Sequence, residues 1–262
     1  MSTRSCLIAA ASLFAGAGLV AGTAQAATLH TLTSDGMLTR VDSGTRRASR
    51  AVPISGADGR VLSIALRPAN GTLYGLTDAN QLVTIDPKTG RATPGAALDK
   101  PVQTGPRASI NFNPVVDRLR VVGSGGGNFR INVDNGQVTA DGGLKYADGT
   151  PLSGTSPMVT AAAYTNHTAG TKETALYTVD TMLSQINLQA PPNDGVQQPK
   201  KQLGTLPKGI GFDILADGQG GNTGFMVMDG KLSSLMVTDL SVRELGPVTG
   251  LVGEVVSLAA AK

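Results

Sequence analysis

Short apolar runs alternate with turn residues throughout residues 110–146, the most regular stretch of the chain. The four apolar runs occupy residues 110–112, 119–122, 129–133 and 138–144, and each break between them carries Gly, Pro, Asn or Asp. Short runs separated by such residues are typical of antiparallel strands joined by hairpins. The stretch therefore predicts a four-stranded antiparallel meander.

The same alternation returns about every 50 residues, which is the mark of a repeat architecture. For example, LYGL at residues 73–76 corresponds to LRVV at residues 119–122, 46 residues further on. Residues 189–202, rich in Pro, Gln and Lys, interrupt the fourth repeat and are predicted to form an exposed loop. Since no stretch has convincing helical periodicity, the chain is predicted to be all-β.

The two ends of the chain complete each other. Residues 28–56 match the second, third and fourth strands of a repeat, whereas residues 255–259 match the missing first strand. Joining the C-terminal strand to the N-terminal blade would close a ring of sheets and remove an open edge. About 235 residues in repeats of about 47 give a β-propeller of five blades, each of four antiparallel strands. The alternatives are six blades with one degenerate, or a β-sandwich of repeated hairpins.

The first 26 residues have the features of a cleaved signal peptide. Arg4 gives a positive start, residues 7–20 form an apolar segment, and residues 24–26 (AQA) form an A-x-A cleavage site. The apolar segment is shorter than the roughly 20 residues of a membrane span. We therefore predict export, a single propeller domain over residues 27–262, and a periplasmic or secreted location.

Composition narrows the function classes. Cys6, inside the predicted signal peptide, is the only cysteine among 262 residues, so the mature chain has no disulfide, thiolate metal site or thiol nucleophile. The formal net charge of +3 is small and scattered, which argues against a nucleic-acid partner. After signal cleavage no apolar segment long enough for a membrane span remains, and we expect a monomer.

Four motifs carry a resemblance to a known family: NPVVDRLRVV at residues 113–122, GNFRINVDNGQVTADGGLKY at 127–146, AAAYTN at 161–166 and GIGFDI at 209–214. They resemble the bacterial exported proteins of the domain-of-unknown-function 4394 family. The resemblance covers nearly all of the mature chain, and its central motif is long. It implies a propeller-like exported protein and no particular activity.

The third repeat differs from the others in its third strand. When the third strands are aligned on their apolar residues, Arg130 stands where the other repeats have leucine: Leu38, Leu82, Leu183 and Leu232. Asn132 and Asp134 follow on the same strand face, since side chains alternate with period two, and Asn128 joins Arg130 and Asn132 in the candidate site. A guanidinium between blades needs acceptors, and three aspartates could supply them: Asp117, Asp134 and Asp141. These residues either bind an anionic or polyhydroxy ligand or form a polar network that joins two blades, and we favour the network.

The first strand of each blade lines the channel of a propeller, and by fold analogy ligands sit at the face where these strands begin. Asn111, Tyr164 and Asp213 lie on predicted first strands. Their amide, phenol and carboxylate groups could bind a sugar-like ligand or a cation such as calcium. The alternative, which we favour, is that such channel groups bond to ordered water.

Conventional catalytic signatures are missing from the sequence. There is no G-x-S-x-G elbow, and the two histidines, His30 and His167, lack the spacing of a zinc site. The glycine-rich residues 123–127 join two strands rather than a strand and a helix, so they predict a flexible hairpin tip instead of a phosphate loop. Catalytic residues are therefore left unassigned.

The sequence favours an exported binding or scaffold module of the cell envelope over an enzyme. Its candidate ligand-binding residues are Asn111, Asn128, Arg130, Asn132 and Asp213. Its partner would be a small polar ligand or an envelope protein. The alternative is a calcium-assisted hydrolase or lactonase-like propeller enzyme, with Asn111 and Asp213 as the candidate metal ligands and calcium as the cofactor.

Overall fold

The computed structural model describes residues 26–262. The predicted signal peptide, apart from its last residue, lies outside the described residues. Within residues 26–262, no helix is both long and apolar enough to cross a membrane. A single turn of 3₁₀ helix, Pro192–Asp194, is the only helical element of this range.

The strands form five small sheets arranged as a five-bladed propeller, which confirms the predicted fold class. The first blade contains β1 Thr28–Thr33, β2 Met37–Asp42, β3 Arg47–Ala48 and β4 Val52–Pro53. The second contains β5 Val61–Leu66, β6 Leu73–Thr77, β7 Leu82–Ile85 and β8 Ala92–Pro94. The third contains β9 Ala108–Asn113, β10 Arg118–Gly123, β11 Asn128–Asn132 and β12 Gln137–Ala140.

The remaining strands build two more blades and return to the first. The fourth blade contains β13 Lys145–Tyr146, β14 Val159–Tyr164, β15 Leu176–Asp180, β16 Gln185–Gln189 and β17 Val196–Gln202. The fifth contains β18 Gly211–Ala216, β19 Asn222–Met228, β20 Lys231–Met236 and β21 Ser241–Pro247. The last strand, β22 Val255–Ala261, pairs antiparallel with β1, and Leu29 lies opposite Ala260.

Turn chemistry ends the strands at predictable points. After the third strands of two blades, the amide of Gly90 donates to the carbonyl of Asp86 and the amide of Gly136 to that of Asn132, both at 2.8 Å. These glycines have φ angles of 75° and 76°. Only glycine adopts this left-handed region without steric cost, so each turn stops its strand at a fixed residue.

The prediction of an exposed loop at residues 189–202 is wrong in its secondary structure, although most side chains of residues 191–202 are exposed. Residues 196–202 form β17, which pairs with β16 and is covered at its other edge by β13. Gln197 is fully buried, and its side-chain amide is satisfied there: it accepts a hydrogen bond from Thr178 at 2.6 Å and donates to Gln189 at 2.9 Å. The polar composition predicted a loop, but two of the glutamines bond to each other inside the protein.

Apolar side chains fill most of the seams, the interfaces between neighbouring blades. Between the second and third blades, Tyr74 and Leu76 pack against Ile110, Phe112 and Leu119. Similar apolar clusters join the first blade to the second, the fourth to the fifth and the fifth to the first. The seam between the third and fourth blades has a small apolar cluster around Val122 and Leu144 beside many polar groups.

Candidate functional site

Five inner strands, β22, β5, β9, β14 and β18, surround the propeller axis, each packed against the next. Serine hydroxyls tie three neighbouring pairs of these strands. Ser257 accepts from the Ile64 amide at 3.1 Å, Ser63 from the Ile110 amide at 3.1 Å, and Ser109 from the Ala162 amide at 2.9 Å. Backbone donors that face the axis are thereby satisfied by the next blade, which fixes the spacing of the inner strands.

Asn111 and Asp213 meet across the channel, two residues along their strands from this serine level. The Asn111 amide nitrogen donates to Asp213 Oδ1 at 2.9 Å, and the Asn111 oxygen accepts from the Tyr164 backbone amide at 3.0 Å. Asp213 Oδ2 accepts from the Ala260 amide at 2.8 Å. The two predicted site residues therefore lie together, and both are engaged with protein groups rather than open to the channel mouth.

The Asp213 carboxyl is fully buried. Burial raises its pKa, while the nearby His167 and the three hydrogen bonds from Ala260, Ile214 and Asn111 act in the opposite direction. Burial likewise lowers the pKa of His167. Over residues 26–262, no group of three His, Cys, Asp or Glu side chains is placed to hold a metal ion. Ligand or calcium binding by Asn111 and Asp213 stays a prediction.

The seam between the third and fourth blades is organised around Arg120, whose side chain is only 1% exposed. Its guanidinium donates to Asn128 at 2.8 Å, Asp141 at 2.6 Å, Asn193 at 2.6 Å and the Tyr164 hydroxyl at 3.2 Å. Asn193 belongs to the 3₁₀ turn of the fourth blade. A buried guanidinium with this many acceptors joins the two blades through directional bonds.

Arg130 and Asn128, two of the predicted site residues, belong to this network. Arg130 donates through Nε and Nη2 to the two oxygens of Asp141, both at 2.8 Å. Asn128 donates to the carbonyls of Gly142 and Pro192 at 2.9 and 3.0 Å. Asn132 lies apart, half-buried at the end of β11, where it accepts from the amide of Asp134 at 3.2 Å.

Of the three predicted acceptors for Arg130, only Asp141 contacts it. Asp117 and Asp134 bind the nearly buried Arg67 of the second blade instead, at 2.5 and 2.7 Å. The pKa of Asp134 is lowered, chiefly by its hydrogen bond from Arg67. This second arginine joins the second and third blades at the ends of their inner strands.

The strand alignment that singled out Arg130 is wrong by two residues. In the second blade, Ser63 of β5 lies opposite Leu76 of β6, which lies opposite Leu82 of β7. In the third blade, Ser109 of β9 lies opposite Val122 of β10, which lies opposite Asn128 of β11. Asn128 therefore takes the leucine position, and in the fourth blade Ile186 takes it instead of Leu183. In the third blade the shift is two residues, which kept the strand face correct because side chains alternate with period two, whereas in the fourth blade it is three residues.

Arg120 is not among the site residues predicted from the sequence, although the sequence contains a signal for it. The inner-strand register places Arg120 at a second-strand position that is aromatic or histidine in the other blades: His30, Tyr74, Tyr177 and Phe225. Tyr74, Tyr177 and Phe225 pack in the apolar clusters of the seams with their following blades. An arginine in a run that otherwise reads as a buried strand needs buried acceptors.

The glycine-rich segment 123–127 joins β10 and β11 as the predicted hairpin. Its glycines, however, lie against the backbone of residues 103–105, and Gly125 donates to the Thr104 carbonyl at 2.9 Å. A side chain at Gly123 or Gly127 would overlap the carbonyl oxygen of Thr104 or Gln103. Close backbone approach, rather than a flexible tip, therefore requires glycine here.

A cavity of about 530 Å³ lies at the channel mouth, the end of the channel where the inner strands begin. All five blades contribute to its lining. The first gives Ser34 and Val256, the second Arg60, Val61 and Leu62, the third Pro106, Arg107, Ala108 and Ser124, the fourth Met158, Thr160 and Thr181, and the fifth Lys208. This is the face on which fold analogy places a ligand.

Three cations border this cavity. Arg60 lies 3.8 Å from Asp78, and Arg107 lies 3.3 Å from Glu254. Both pairs are partly exposed, so each contributes little to stability and leaves its cation accessible. Within residues 26–262, Lys208 has no carboxylate within salt-bridge distance. The channel mouth can therefore attract an anion.

None of the five predicted ligand-binding residues lines this cavity, and the sequence held a signal for those that do. Arg60 and Arg107 each directly precede an inner strand, and Lys208 stands three residues before β18. A basic residue before the first strand of three repeats is a pattern, but its meaning depends on closing the ring. Only closure brings these strand beginnings around one axis.

Comparisons with known proteins support the family and the fold. Residues 37–259 match the family described as Domain of unknown function (DUF4394), which confirms the resemblance seen in the sequence. No curated protein matches the chain. A structural genomics protein of unknown function from Bacteroides thetaiotaomicron VPI-5482 is similar in structure, with a TM-score of 0.51 and 13% identity, covering 84% of this chain and 56% of that one.

An auxiliary nutrient binding protein from Bacteroides ovatus ATCC 8483 also matches, with a TM-score of 0.41 and 13% identity, covering 75% of this chain and 55% of that one. The chain thus spans a little more than half the length of these two solved structures. At such low identity, the likeness to the first structure concerns the fold alone.

Proposed function

The chain belongs to the DUF4394 family, and we propose that it is an exported binding module that holds a small ligand in the channel-mouth cavity. The observation that carries this proposal is the cavity itself, built by all five blades and bordered by Arg60, Arg107 and Lys208. Its volume of about 530 Å³ is in the range of small-molecule sites. Polar groups that converge on a concave apolar site are the usual basis of ligand orientation.

The rigidity of the surrounding ring supports a binding role. The inner strands are tied by serine hydroxyls and by the Asn111–Asp213 bond below the cavity. A site held in shape before the ligand arrives loses less entropy on binding. The signal-peptide pattern of residues 1–26 supports export to the periplasm or beyond, and the ligand would then come from the cell exterior or envelope.

Thermal melting of the residue 27–262 protein tests the proposal. The ligands are a panel of sugars, small organic acids and calcium, the last with and without EDTA. A ligand at 100 times its Kd adds about 2.7 kcal/mol, which raises the melting temperature by roughly 5–10 °C for a domain of this size. The calcium arm tests the alternative of a calcium-assisted enzyme, for which Asp213→Ala should abolish the shift.

A matched pair of variants locates the site. Lys208→Gln removes a cation from the channel mouth, and Lys200→Gln makes the same charge change at an exposed position of β17. We expect the ligand-induced shift to shrink in the first variant and to persist in the second. A shift that survives Lys208→Gln, Arg107→Gln and their combination would place binding elsewhere and contradict the proposal.

A further inference from the structure

The lining of the channel-mouth cavity is divided between cationic and apolar groups. Val61, Leu62, Met158 and Val256 form an apolar wall between the cations. Two strongly exposed apolar side chains lie on loops beside the cavity. Met182, 59% exposed, follows the lining residue Thr181. Val252, 72% exposed, stands two residues before Glu254. A purely hydrophilic ligand would leave this apolar surface without a partner.

The charges at the cavity leave one cation without a counterion. Asp78 and Glu254 each approach one arginine, and Lys208 is left over. One added negative charge would balance the three cations and two carboxylates. A second negative charge would meet an arginine that Asp78 or Glu254 already approaches, or would lie against the apolar wall, where it would lose hydration.

Thr160 is a polar residue of the cavity lining. The residue is 5% exposed and lines the cavity, and within residues 26–262 its hydroxyl has no hydrogen-bond partner. Buried hydroxyls are normally paired, and because this hydroxyl oxygen is closed to solvent, a ligand oxygen or a water would reach it only if the cavity wall shifts.

We infer that the ligand is a monoanion with an apolar body, a medium-chain or aromatic monocarboxylate being the simplest example. Its carboxylate binds beside Lys208 and Arg107, and its apolar body covers Val61, Leu62 and Met158. This inference rests on the proposed function, because it names the ligand class of the same cavity. Carboxylate recognition by a lysine and an arginine is charge-assisted, and the apolar body adds affinity in proportion to the area buried.

Calorimetric titration with three ligands of equal chain length tests the inference. Octanoate has the single charge, octanamide has none, and suberate has a second carboxylate at the far end. We expect octanoate to bind at least tenfold more tightly than either of the others, a factor that corresponds to about 1.4 kcal/mol. Equal binding of octanoate and octanamide would contradict the claim that the ligand is an anion. Stronger binding of suberate would contradict the claim that the rest of the ligand is apolar.

Two variants separate the head-group contact from the apolar one. Lys208→Gln should weaken octanoate about tenfold and leave octanamide unchanged, whereas Met158→Gln should weaken both. Lys200→Gln is the control and should change neither.

If sugars or dicarboxylates shift the melting temperature and octanoate does not, the ligand class is wrong and the proposed function stands. If octanoate and every ligand of the panel fail to bind, both are wrong.

Discussion

The seams on the two sides of the third blade are built by different chemistry on the same backbone. Toward the second blade, Phe112 meets the ring of Tyr74 edge-on, with ring centroids 5.3 Å apart, inside an apolar cluster. Toward the fourth blade, Arg120 takes the strand position of Tyr74 and binds Asn128, Asp141 and residues beyond. Both side chains fill the gap between neighbouring sheets.

The difference teaches what each kind of seam demands. Apolar packing is non-directional and tolerates other shapes of similar volume. A buried guanidinium needs every acceptor in place, and one of them, Asn193, comes from a 3₁₀ turn that the fourth blade adds beyond its four-strand pattern. The polar seam therefore fixes an extra segment of chain, which the apolar seam does not require.

The largest expected effect comes from breaking the polar seam. Arg120→Met should cost about 3–5 kcal/mol, because buried acceptors lose their donor, and should lower the melting temperature by roughly 10 °C. Tyr74→Met at the equivalent position is the matched control, with an expected cost of about 1–2 kcal/mol. Urea unfolding of the two variants measures the difference. An equal loss in both would show that Arg120 merely fills space.

A pH dependence is expected in the first blade, where the buried His30 takes the same strand position. Burial, helped by the charge of Arg40, lowers the pKa of His30 from 6.5 to about 4. Below pH 6.5 the unfolded chain binds a proton that the folded protein does not. Stability should therefore fall as the pH drops from about 6.5 to about 4, by up to about 3 kcal/mol.

His30→Phe, which introduces the residue found at Phe225, isolates this contribution. As the pH falls from 7 to 4, the free energy of unfolding of the variant should rise relative to that of the native protein. Urea unfolding at each pH measures this difference. Other groups titrate equally in both proteins and cancel in the difference. Parallel stability curves over that range would mean that the pKa of His30 is the same in the folded and unfolded states.

The smallest expected effect is a shape change in the apolar seam. Ile110→Leu conserves volume and should cost less than about 1.5 kcal/mol. Asn128→Leu is the counterpart in the polar seam and introduces the residue present at Leu82. It should cost more, about 1–3 kcal/mol, because Arg120 and the carbonyls of Gly142 and Pro192 lose a partner. Equal thermal melting curves for the two variants would remove the distinction between the seams.

The candidate site could be predicted only in part. The face of the propeller followed from the fold, and the basic residues before three inner strands were visible in the sequence. Asn111 and Asp213 were correctly placed on inner strands, but their bond to each other depends on two strands that are about 100 residues apart in the chain. Arg130 was assigned to a strand position that Asn128 occupies. Short apolar runs fit two alignments that place the same side chains on the same face of the sheet, and the sequence does not distinguish them.

Local signals in the sequence determined the strands, the turns and the number of blades. Alternating side chains and glycine, asparagine and proline turns act over a few residues, and their repetition fixes five similar sheets. Tertiary structure alone decided which polar side chains became partners and where the cavity opened. Those outcomes depend on strand register and on the relative placement of distant blades, and a shift of two residues changes the partner of every side chain while leaving the pattern of the sequence unchanged.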